Sequence, residues 1–161
     1  MSDCDSNCKT CKTGCPVCPV CGKRGLKVPM ETIRSLSKVL VPDFVEDGYI
    51  CINRKCAVIY FFRDTPTYLS KDDVKSKIWF KSGFNEYLVC YCHNIFLKDV
   101  VEFVKKENKP GITKDYYFKA HNLTEGDCLH HFPLGCSCDK NFKAAIDFAY
   151  SQLNNDEKNK N

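Results

Sequence analysis

No apolar run in the chain approaches the roughly 18 residues that a membrane-crossing helix needs, so membrane insertion is not expected. The opening residues Met1-Ser2-Asp3-Cys4-Asp5 have neither the basic stretch nor the apolar core of a secretory signal, which points to a cytoplasmic protein. Charge of one sign is also missing. Lys and Arg total 24 against 20 Asp and Glu, a net charge of +4, too mild a balance to imply nucleic acid. Methionine occurs only as Met1 and Met30, and the single tryptophan, Trp79, reads as core material. Disorder throughout is excluded, because 43% of the residues are hydrophobic and 27% charged. A length of 161 residues suits one ordinary domain or two very small ones.

Cysteine, by contrast, is abundant: 13 residues. An odd count, no export signal and close grouping favour metal-bound thiolates over a disulfide framework. The groups are Cys4, Cys8, Cys11 and Cys15; then Cys18 and Cys21 with the more distant Cys51 and Cys56; then Cys90 and Cys92; then Cys128, Cys136 and Cys138.

Hydrophobic spacing predicts the elements between these groups. Ile33, Leu36, Val39 and Leu40 predict a helix over 31–40, stopped by Pro42. The β-branched and aromatic run 57–62 predicts a buried strand, paired with 48–51 across the turn Asn53-Arg54-Lys55. Residues 67–69 and 76–81 are weaker strand candidates. Leu97, Val100, Val101 and Val104 share one face of a helix that ends near Lys109-Pro110-Gly111. A further helix is expected over 113–120. A last one is capped by Asp139 and carries Phe142, Ile146, Ala149 and Leu153 on one stripe. The expected fold is α+β: a flexible cysteine-rich arm over 1–16, a small β-rich zinc-binding module over 17–82 packed on a helical [2Fe–2S]-binding module over 83–153, and a disordered polar tail over 154–161.

Cys18-Pro-Val-Cys21-Gly22 is a C-x2-C knuckle, whose two intervening residues let both sulfurs approach one ion at about 2.3 Å. Cys51 and Cys56 form a C-x4-C at the hairpin turn. Together these four thiolates suit a closed tetrahedral site, for which Zn²⁺ is the fitting ion and its role structural. Cys15-Pro-Val-Cys18 is an overlapping C-x2-C, but Gly22 favours the pair Cys18 and Cys21.

Cys90-Tyr91-Cys92 with the distant Cys128 and Cys138 is poor spacing for a zinc ribbon and suits four thiolates around a [2Fe–2S] core, although a second zinc stays open on spacing alone. His93 is expected beside that centre as a hydrogen-bonding residue, and His130 and His131 as loop residues. No nucleophile, base and orienting group can be read together, so an electron carrier or metallochaperone is expected rather than an enzyme. The arm cysteines Cys4, Cys8, Cys11 and Cys15 could wrap a soft ion such as Cu(I) or Zn²⁺, or form a tail that picks up metal incidentally.

The run Cys18-Pro-Val-Cys21, Gly48-Tyr49-Ile50-Cys51, Cys56-Ala57-Val58-Ile59-Tyr60-Phe61 and Val89-Cys90-Tyr91-Cys92 resembles the N-terminal metal domain of CopZ-type copper chaperones, and its second half resembles bacterioferritin-associated ferredoxin. The resemblance implies one zinc at Cys18, Cys21, Cys51 and Cys56 and one [2Fe–2S] cluster at Cys90, Cys92, Cys128 and Cys138. It implies a one-electron carrier tied to copper handling, through Cu(II) reduction or Cu(I) chaperoning. The partners would be copper-transport or copper-chaperone proteins or a redox partner. Two departures stand out. Pro133-Leu134-Gly135-Cys136-Ser137-Cys138 displaces the family's extra cysteine by one position, leaving Cys136 as a rival fourth ligand. No Met-x-Cys-x-x-Cys copper loop is present. The alternatives are a ferredoxin-like partner unrelated to copper and a non-redox two-zinc interaction protein.

Overall fold

A computed structural model describes residues 16–160. Along the chain run β1 (Gly25–Val28), α1 (Met30–Leu36), β2 (Gly48–Cys51), β3 (Val58–Phe62), β4 (Tyr68–Ser70), β5 (Leu88–Cys90), β6 (Ile95–Phe96), α2 (Leu97–Glu107), α3 (Lys114–Ala120), α4 (Cys128–His131) and α5 (Asp139–Lys158). The architecture is mixed α+β. The chain divides into two units, one ending at Ser82 and completed by Asp127–Ser137, the other formed by Gly83–Gly126 and Cys138–Asn161.

In the first unit, β1 to β4 form an antiparallel sheet in chain order. Its register places Gly25 opposite Cys51, Tyr49 opposite Phe61 and Tyr60 opposite Leu69. All five residues of β3 are buried, as an unbroken β-branched and aromatic run requires of a strand covered on both faces. Helix α1 is shorter than its apolar spacing predicts. Ser37 turns to extended backbone, bridges Val74 and donates its hydroxyl to the Val39 carbonyl at 2.6 Å. Lys38 and Lys75 N–H then bond Asp73 and Leu36 carbonyls. Strand-like pairing with a distant segment thus outcompetes helix propagation, and Leu40 is left 94% exposed.

Residues 76–81 do not form a strand. Trp79–Lys81 is a 3₁₀ turn, with the Trp79 ring stacked on Phe132 at 5.0 Å. The segment Asp127–Ser137, expected within the helical module, folds with the first unit instead. Its tethers explain this: Thr32 and Ser35 hydroxyls donate to the Leu129 and His130 carbonyls at 2.6 and 2.7 Å, and the Tyr60 hydroxyl donates to the Pro133 carbonyl at 2.7 Å. Those carbonyls lie in or just past the one-turn helix α4, which cannot satisfy them internally. His130 is on α4 rather than in a loop. Its ring nitrogens lie 2.6 Å from Asp127 and 2.6 Å from Glu31, and this pairing holds His130 above the usual histidine range.

In the second unit, β5 and β6 form a hairpin that leads into α2. Leu97, Val100 and Val104 are buried as their spacing predicts. Asn108 ends α2 in the left-handed conformation, just ahead of Lys109-Pro110. Thr113 caps α3 by accepting from Tyr116 N–H at 3.2 Å. In α5 the stripe Phe142, Ala145, Ile146 and Ala149 is buried. Asp139 is the first helical residue and Cys138 the cap. The helix continues through 154–158, where composition predicts a frayed tail. Lys105 pairs with Asp156 at 3.2 Å, so the polar end has a partner on α2.

Candidate metal centres

The knuckle is built by short-range backbone bonds. Cys18 N–H donates to the Lys23 carbonyl at 2.8 Å, and Gly22 N–H donates to the Cys18 carbonyl at 2.9 Å. The turn needs φ +70° at Gly22, a conformation that residues with a Cβ rarely adopt. The second pair sits where β2 gives way to the turn. Asn53 accepts from Lys55 N–H through its side chain and from Cys56 N–H through its carbonyl, which folds Cys56 back toward Cys51.

The four Sγ atoms of Cys18, Cys21, Cys51 and Cys56 lie within 4.8 Å of one another. Cys21 and Cys51 sulfurs are 3.6 Å apart, and those of Cys18 and Cys56 are 3.9 Å apart. A tetrahedron of Zn–S bonds of about 2.3 Å has edges of about 3.8 Å, so the donor set fits one zinc ion. Tyr49, Val58 and Phe61 pack around these thiols. Such a wall encloses a tetrahedral site that is already full, which suits a structural ion. Cys18 therefore pairs with Cys21, while Cys15, Cys4, Cys8 and Cys11 lie outside the described residues.

The electrostatics of the metal-free thiols differ across the site. The Lys23 backbone N–H, aided by the Asn53 side chain, holds Cys21 down at about 6. Burial pushes Cys51 up to about 12 and raises Cys56 as well, although N–H groups of Asn53 and Val58 oppose this. Lys81 reaches in from its 3₁₀ turn and donates to the carbonyls of Cys56 at 3.0 Å and Val58 at 2.6 Å. The sequence predicts this residue at the end of a weak strand, and nothing in its neighbours' pattern marks it.

The second set is divided differently from the first. Cys90 ends β5, Cys92 lies in the following turn, and Cys138 caps α5, all in the second unit. Cys128 opens α4 in the first unit. The Cys90 and Cys138 side chains are hydrogen-bonded. That bond, with N–H groups of His93 and Cys92, holds Cys90 at about 6 against the cost of burial. Cys90, Cys92, Cys128 and Cys138 form no disulfide, whereas Cys136 is disulfide-bonded. Gly126 abuts Cys92: a Cβ there would collide with the Cys92 Cβ and lie 2.6 Å from its sulfur. The backbone comes so close to Cys92 that no side chain fits at 126 without movement, and residue spacing gave no hint of it. His93 bonds the Thr124 carbonyl through Nε2 at 2.8 Å, and its ring meets Phe118 edge-on at 5.3 Å. At the head of α5, Lys114 is desolvated. Its pairing with Asp139 at 2.7 Å and Glu125 at 3.2 Å outweighs that cost and raises the ammonium above its usual range.

Comparison with known proteins agrees with this geometry. Residues 15–75 match the zinc binding domain family zf_CopZ. No curated protein matches the chain. A similar solved structure is the X-ray structure of the Archaeoglobus fulgidus CopZ N-terminal domain. It is 23% identical, with a TM-score of 0.60 over 80% of this chain and 96% of that one. At this identity the likeness speaks for the fold.

Proposed function

Taking residues 15–75 as a CopZ-type zinc-binding domain, we propose that the protein is a cytoplasmic one-electron carrier in copper handling. It holds structural zinc at Cys18, Cys21, Cys51 and Cys56, and a [2Fe–2S] cluster at Cys90, Cys92, Cys128 and Cys138. The observation that carries the cluster assignment is the sulfur contact between Cys90 and Cys138, cysteines 48 positions apart in the chain, with the N–H groups of Cys92 and His93 aimed at Cys90. Such donors stabilise negative charge on thiolates and on cluster sulfides. Cys138, outside any disulfide and set at the N-terminus of a long helix, is favoured over the disulfide-bonded Cys136 as the fourth donor. The close approach of the Gly126 backbone to Cys92 supports the same centre.

Held by these cysteines, a [2Fe–2S] cluster would supply one-electron chemistry of the kind that converts Cu(II) to Cu(I). The chain's residues do the rest. Backbone donors lower the energy of the thiolates, and the aromatic rings of Phe118 and Phe142, in edge contact at 5.6 Å, form an apolar wall within the same unit. The arm thiols Cys4, Cys8, Cys11 and Cys15 would receive Cu(I), a soft ion matched to thiolate. The expected partners are copper-transport or copper-chaperone proteins or a redox partner. Among the described residues no helix is long and apolar enough to cross a membrane.

Anaerobic purification with iron, sulfide and zinc analysis and a visible spectrum tests this reading. Two irons, two sulfides and one zinc per chain, with red-brown absorption lost in Cys138→Ser and kept in Cys136→Ser, are expected. A colourless protein with two zinc ions would overturn it in favour of a non-redox interaction protein. Mixing the reduced protein with Cu(II) should yield one Cu(I) per cluster. A cluster that does not react with copper would leave a ferredoxin-like carrier.

A further inference from the structure

Lys81 occupies an unusual place. Its ammonium bonds two main-chain carbonyls, those of Cys56 and Val58, and its side chain is drawn inward from the 3₁₀ turn Trp79–Lys81. A lysine rarely gives up water for carbonyls alone, since burying an ammonium is costly unless opposite charge is near. The opposite charge is the metal site. Four thiolates around one divalent ion carry two net negative charges, and Cys18, Cys51 and Cys56 are buried at 1%, 0% and 6% exposure. Backbone N–H groups supply only partial charges to such a dianion, and a nearby ammonium supplies a full one.

We infer that Lys81 is the counter-charge of the zinc site: its ammonium pins the Cys56–Val58 backbone and, as a fixed positive charge beside four thiolates, governs how tightly zinc is held and how slowly the bound sulfurs react. The hydrogen bond from its ammonium to the carbonyl of Cys56, itself one of the four donors, supports this placement. The chemistry follows directly. Zinc-bound thiolates are nucleophiles, and a cation beside them stabilises the electron pair that an electrophile or a competing soft ion would use. Lys81 thereby makes the zinc site inert in a protein whose other thiols would handle redox-active metal. It is a positioning residue, acting through the sulfurs and not as a ligand.

The inference rests on the zinc assignment, and its test separates the two. Purified full-length protein that contains no zinc would fail that assignment, whereas a zinc-loaded chain indifferent to residue 81 would fail only this inference. The comparison is between wild type, Lys81→Met, Lys81→Gln and Lys81→Arg. Zinc affinity is read by competition with a chromophoric chelator, thiol reactivity by iodoacetamide labelling of the zinc-loaded protein, and thiolate electron donation by the charge-transfer bands of the Co(II)-substituted protein. Lys81→Met should lose zinc affinity roughly 10- to 100-fold, as outer-shell partners of metal sites do. It should label faster and shift the charge-transfer bands to lower energy. Lys81→Arg should restore most of each property. Should Lys81→Met fail to fold, the same readouts on Lys81→Gln, which loses the charge but keeps amide donors, decide the matter against Lys81→Arg. Unchanged affinity and unchanged Co(II) bands in the charge-neutral variants would overturn the inference, because a merely structural residue would leave the spectrum in place.

Discussion

Thr32, fully buried on α1, donates its hydroxyl to the carbonyl of Leu129 at 2.6 Å, joining residues 97 positions apart. The bond fastens the Cys128-bearing segment to the zinc-binding unit, with Ser35 and Tyr60 adding parallel tethers.

Replacing Thr32 with Val keeps the shape and removes the donor. The Leu129 carbonyl then loses this partner, at a cost of about 1–3 kcal/mol. Chemical denaturation should show that loss, with Thr32→Ser much closer to wild type. Equal stability of Thr32→Val and wild type would mean the carbonyl has found another donor.

Gly126→Ala places a methyl group against Cys92, 2.6 Å from its sulfur. The variant should purify with full zinc and with sharply reduced iron. Metal analysis of the same preparation reads both. Iron equal to wild type would remove Cys92 from the cluster donors.

In metal-free protein, Cys21 should react with iodoacetamide along a profile with its midpoint at about 6, because the Lys23 N–H stabilises its thiolate. Cys51, raised to about 12 by burial, should stay unreactive through neutral pH. Peptide mapping after timed labelling distinguishes them, and equal rates would contradict the asymmetric backbone donation described above.

Asp73 supplies an acid-sensitive contact. Its carboxylate accepts from Ser70 N–H at 2.8 Å and from the Ser70 hydroxyl at 2.9 Å, which holds it below the ordinary value of 3.8. The folded group is the stronger acid, so its contribution to stability is present above the unfolded value and disappears as pH falls through the lower folded one. A carboxyl titration followed by NMR should show that depression. In Asp73→Asn this part of the acid dependence should be missing, and an unaltered acid profile would rule the contact out as its source.

Much of the zinc site was legible because its signals are local. Two residues between Cys18 and Cys21, a glycine after them and a turn between Cys51 and Cys56 are short-range facts that backbone geometry converts directly into sulfur positions. The run Val58–Phe62 and the stripes of α2 and α5 were legible for the same reason. Helix α1 was overextended because its periodicity continues to Leu40, while the bridge from Ser37 to Val74 that ends it comes from a segment 37 residues away in the chain.

The amino-acid sequence by itself determined which thiols could share an ion, since ligand spacing and turn chemistry act over a few residues. Only the tertiary structure decided that the segment Asp127–Ser137 folds with the first unit, that Lys81 bonds the carbonyl of Cys56, and that the Gly126 backbone abuts Cys92. A half-buried ammonium's choice of carbonyls and a backbone's approach to a distant sulfur depend on which elements pack together. Packing is settled by the summed burial of the whole unit, which no local pattern records.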